Sequence, residues 1–132
     1  RDLPSFPTRR SSDLAICCCI YGGQVRCEMT KIKKYVEDIA EELDGAKNYI
    51  EKALEYKSMG NTPENMERYN GYKTMSVQEL EHAMRVHDYA AQDIEKLRSV
   101  YPDIPTEMMD KWEHSHKEFI EKTAWIKQMQ AM

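Results

Sequence analysis

Long apolar runs are missing from this chain of 132 residues. A membrane-spanning helix needs about 20 consecutive apolar residues, and no stretch approaches that length. The chain is therefore expected to be soluble and to have no membrane partner. Cysteine is missing from Met29 onward, because Cys17, Cys18, Cys19 and Cys27 all precede it. That absence excludes a disulfide framework and a thiolate zinc site from the segment, and makes a reducing, cytoplasmic compartment the expectation. An excess of positive charge is missing as well. Four of the 19 basic and three of the 23 acidic residues precede Met29, which leaves the remainder at net −5. Such a chain lacks the electrostatic footprint of a nucleic-acid binder, and Lys31, Lys33 and Lys34 read as a solvated helix start. Strand alternation, internal repeats and low-complexity tracts are also lacking.

The first residues are expected to lie outside the fold. Arg1 to Leu14 resembles the translation of a sequencing-adapter oligonucleotide, with Pro4 where the adapter frame encodes histidine, and is set aside as foreign to the domain. Ala15 to Glu28 mimics a basic and apolar leader, but its apolar run is short and no small-x-small cleavage site follows. Upstream sequence read in frame is the preferred reading, with a real leader as the alternative. Residues 1–28 are thus expected to be non-native, and residues 29–132 to form one small domain.

Within that domain the pattern is helical. From Thr30 to about Ser58, Ile32, Tyr35, Val36, Ile39, Leu43, Ala46, Ile50, Ala53 and Leu54 recur at spacings of three and four, the signature of an amphipathic helix. Gly60 or Asn61 can end it, and Thr62-Pro63-Glu64 supplies an N-cap, a proline at N1 and an early carboxylate for the next helix. The second helix is expected from Pro63 to Val100, with Gly71 as a point where it can kink. Tyr101 to Pro105 breaks it, and a third helix is expected from Thr106 to Gln130. The fold class is all-α, a three-helix chain with a long antiparallel hairpin. The nine methionines read as core filler.

Carboxylates stand where this pattern asks for apolar residues. Glu42 falls on the stripe of Tyr35, Ile39, Ala46, Tyr49 and Ala53. Glu79 and His82 fall on that of Tyr72, Met75, Val86 and Tyr89. Burying an unpaired carboxylate is costly, and a cation is one partner that reverses the cost. Glu79 and His82 are three apart, so they project from one helix face. Glu113 and His116 repeat the spacing on the third helix. With 14 Glu and four His from Met29 on, chance alone supplies roughly half of one such pair, so Glu113 and His116 read equally well as solvated polar residues. His87 and His114 are assigned to the surface.

The run Met75 to Ala83, with its Glu-x-x-His, resembles the second-helix motif of rubrerythrins and other ferritin-like proteins. Glu42 followed by Ala46 and Tyr49 is similar to that family's first-helix ligand. Small phage and bacterial ferritin-like proteins resemble the whole of residues 29–132. The resemblance implies a di-iron site, or a di-manganese one, with Glu42, Glu79 and His82 as ligands and Glu113 and His116 as a second candidate pair. It further implies oxidation of Fe(II) by O₂ or peroxide, with Tyr49 and Tyr72 near the site or simply in the core. Two departures stand out. About five residues join the second and third helices, too few for the family's long crossover. One chain also falls one carboxylate short of the family's ligand set. A homodimer, or a higher homo-oligomer, is therefore expected to complete a four-helix bundle and its site, as in the encapsulated ferritins it resembles. The paired-cysteine knuckles of a rubredoxin-like electron-transfer module are absent. The competing expectation is a non-catalytic helical interaction protein in which the same residues form a polar cluster without metal.

Overall fold

The computed structural model describes residues 20–101 and 103–132, with side chains from residue 28 onward. The expectations for residues 1–19 lie outside the described residues. Three helices make up the described chain, with no strand among the described residues: α1 (Ile20–Ser58), α2 (Pro63–Val100) and α3 (Thr106–Gln130). The second and third helices have the bounds the sequence predicts. The first begins at Ile20, ten residues ahead of the expected Thr30 start. Between Ile20 and Thr30 stand no proline and no Ser, Thr, Asp or Asn cap, and a helix already nucleated propagates through Gly22 and Gly23 at about 1 kcal/mol each.

Local chemistry fixes the first reversal. Gly60 has φ +120°, which an L side chain rarely adopts, so glycine is required there. The Thr62 hydroxyl then accepts a hydrogen bond from the Asn65 amide at 3.2 Å, and Pro63 opens α2. Gly71 leaves α2 one unbroken helix through Val100. Pro105 stands at the N-cap of α3 with no side-chain cap.

α1 and α2 form the antiparallel hairpin. Alanines seven apart on each helix, Ala46 and Ala53, Ala83 and Ala90, are fully buried and let the two axes approach closely. Around them pack Ile32, Ile39, Leu43, Leu80, Ile94 and Leu97, joined from α3 by Met108, Trp112 and Ile126. A second cluster of Ile50, Ala53 and Tyr69 sits toward the tip of the hairpin. α3 turns straight back along α2, and packs more extensively on α1 than on α2. Its far end is tied down where Gln130 Nε2 donates to Ser76 Oγ at 2.9 Å, while Ser76 Oγ donates to the Ala46 carbonyl at 2.7 Å. Ile120 of α3, although apolar, is 54% exposed. No described helix is long and apolar enough to cross a membrane.

Candidate metal centre

Successive residues on a helix are about 100° apart, so Glu42 lies to one side of the buried Ile39–Ala46 line while Val36 and Ala40 lie to the other. The second flank faces α3, where Val36 and Ala40 line an apolar groove together with Met108. The first flank is the edge where α1 meets α2. There the hairpin pairs Tyr35 with Asp93, Glu42 with Glu79 and His82, and Tyr49 with Tyr72.

Glu42, Glu79 and His82 each offer one ligand atom, all within 4.8 Å of one another. His82 Nδ1 lies 3.5 Å from Glu42 Oε2 and 3.9 Å from Glu79 Oε2. These are ion-pair distances, longer than a good hydrogen bond. Glu42 Oε2 is buried and has no hydrogen-bond partner. Hydrogen bonding with the neighbouring Glu79 carboxyl pushes Glu42 up from the usual carboxylate value; burial and Glu79's like charge add to the shift, and His82 opposes it. The two carboxylates thus hold a proton or a cation between them more readily than they stand ionised side by side. Gly45 lies beside the cluster, where a Cβ would make an ordinary van der Waals contact at 3.6 Å with the Glu79 carboxyl carbon.

The stripe runs along the edge of the hairpin and not through its centre. Glu42 and Glu79 are half-buried, and the His82 side chain is 62% exposed. Met75 and Tyr89, read from the sequence as members of the inward stripe, are likewise exposed. Tyr49 and Tyr72 are half-buried, with ring centroids 6.1 Å apart, and Tyr56 stacks on Tyr72 at 5.8 Å.

Glu113 and His116 do not form a pair. Glu113 is exposed, with its carboxylate 4.0 Å from Arg98 of α2. His116 reaches away from it, and its Nδ1 lies 2.8 Å from Nε2 of His87. His87 itself corrects the surface assignment, for it is only 9% exposed. Its ring stacks on Phe119 at 4.0 Å and lies 5.3 Å from Trp112. Burial and the neighbouring His116 hold His87 below the usual histidine range. The signal for its burial was available, because His87 falls on the core sequence Leu80, Ala83, Ala90, Ile94 at alternating spacings of three and four. His114 is exposed, as predicted, and its Nε2 sits 3.3 Å from Glu118.

Sequence reasoning also missed a polar clasp at the open end of the hairpin. Tyr35 donates to Asp93 at 2.9 Å, and Lys31 lies 3.0 Å from the same Oδ2. No protein-family model, curated protein or solved structure matches the chain.

Proposed function

We propose that the chain is a ferritin-like metal-binding protein whose Glu42, Glu79 and His82 hold iron, and that two chains together complete a di-iron carboxylate site. The observation that carries this reading is the convergence of two carboxylates and one imidazole from two helices, with a buried oxygen of Glu42 left without a partner. Oxygen and nitrogen donors of this kind suit iron and manganese. Bound Fe(II) would be the substrate of an oxidation by O₂ or peroxide. The protein's own part is to neutralise and position: the two carboxylates supply the negative charge, and Glu79 and His82 approach from one face of α2. A second copy related by a twofold axis would bring the same three groups again, the complete set of the ferritin-like template.

A second reading draws on the upward shift of the Glu42 carboxyl beside Glu79. On that reading the cluster is a hydrogen-bonded polar contact in a non-catalytic helical interaction protein. Anaerobic titration with Fe(II), followed by oxygen, separates the two. The metal reading expects two irons per dimer and a ferric absorbance that Glu79→Ala loses. Equal binding by the wild type and Glu79→Ala would leave only the scaffold.

A further inference from the structure

The contact between α2 and α3 is the smallest of the three between the described helices, yet one pair of side chains crosses it at hydrogen-bond distance. His87 Nε2 and His116 Nδ1 are 2.8 Å apart. Two imidazole nitrogens at that separation cannot both present a lone pair to each other, so a ring hydrogen or a metal cation must lie between them. A proton serves when one ring donates to the other. A metal ion serves equally well when both rings are neutral and each turns its lone pair to the ion.

We propose that His87 and His116 form a two-imidazole site for a borderline divalent transition ion, with Cu(II) the best fit, that clips α2 to α3. The geometry favours copper. Two cis ligands of a square-planar ion at about 2.0 Å lie about 2.8 Å apart, whereas tetrahedral zinc would spread them to about 3.3 Å. The tautomers are favourable too. In the tautomer that carries His87's proton on Nδ1, the nitrogen 4.0 Å from Asp88 Oδ1, Nε2 is left with its lone pair toward His116. His87 is also held below the usual histidine range by its burial and by His116, which favours its neutral form. On binding, the proton of His116 moves from Nδ1 to the other ring nitrogen, and a coordinate bond replaces the hydrogen bond with no net change in charge on the rings. Stacking of His87 on Phe119 and Trp112 fixes its plane. His116 is exposed, so water completes the coordination from the open side. This site is separate from the Glu42 cluster and does not depend on it.

The test is Cu(II) titration of the full chain with Cys17, Cys18, Cys19 and Cys27 blocked by alkylation, in the wild type, Glu79→Gln and His116→Gln. Electron paramagnetic resonance reads the number of coordinated imidazole nitrogens, and thermal melting reads the clip. In the wild type and in Glu79→Gln, one equivalent should give a two-nitrogen signal and raise the midpoint by on the order of 5 °C or more. His116→Gln changes an exposed residue, should keep its helical dichroism, and should lose both effects. A two-nitrogen signal that survives in His116→Gln overturns the site, since His82 or His114 would then be its source. So does a signal lost in Glu79→Gln, which would place the ion on the Glu42 cluster, and so does a wild-type midpoint that copper leaves unchanged.

Discussion

A half-buried carboxylate beside a second carboxylate destabilises the fold that carries it unless a cation is near. Glu42 is in that position, with its pKa raised by Glu79 and by burial. The sign follows from proton linkage. A carboxyl whose folded pKa is raised stabilises the fold below its ordinary value of 4.5, and that contribution is lost as pH rises through the folded value. Glu42→Gln should therefore melt no lower than the wild type at pH 7 without metal, lose that advantage at pH 4, and bind Fe(II) more than about tenfold more weakly. Melting at the two pH values and iron titration check the three outcomes. Asp93 behaves in the opposite way. Burial would raise its pKa, but the hydrogen bonds from Lys31 and Tyr35 outweigh burial and hold it below its usual 3.8. Its contribution is present above that value and is lost as pH falls through the lower folded one. Asp93→Asn should cost about 1 kcal/mol at pH 7, a figure discounted for the exposure of Lys31. Denaturant titrations should show the gap between variant and wild type closing as pH falls below 3.8.

At the scale of the helix, glycine and buried hydroxyl positions discriminate between local propensity and packing. Gly71 lies within α2, and a Cβ there would meet nothing within 4 Å. Gly71→Ala should therefore stabilise by about 0.5–1 kcal/mol through helix propensity alone, with iron binding unchanged. Ser76 is fully buried between the Ala46 carbonyl and Gln130. Ser76→Ala should cost about 1–2 kcal/mol, read from the same denaturant curves, because the Ala46 carbonyl and the half-buried Gln130 amide each lose a hydrogen bond to it. The helices themselves were legible because their ends are written in adjacent residues: Gly60, Thr62-Pro63, and the prolines after Tyr101. Which stripe faces the core was less legible. The line of Tyr35, Glu42 and Tyr49 has the same period as the line of Ile32, Ile39, Ala46 and Ala53, and only the position of α2 decides that the first is an edge. Glu42 could be placed beside Glu79 and His82 because a hairpin with a short turn fixes its own register. The partner of His116 could not be placed that way, since it depends on how α3 settles across two other helices.

For the whole molecule the question is what covers the edge that carries the cluster. On the homodimer reading, a second hairpin lies over that edge, and its contact is made by side chains that a single chain leaves in water. Met75 is 39% exposed and Tyr89 49% exposed. They stand four residues before Glu79 and seven after His82, so they flank the cluster along α2 without belonging to it. A charge at either position would be buried without a partner if the second chain docks there, and would be solvated if it does not. Met75→Asp and Tyr89→Asp should therefore leave the helical dichroism of the chain intact. They should shift it from dimer to monomer by sedimentation and lower Fe(II) affinity by about tenfold or more, although no ligand has been touched. A wild-type protein that sediments as a monomer and still binds two irons per chain would remove the shared site. A charge at Met75 that changes neither mass nor iron binding would show that the edge remains open to solvent.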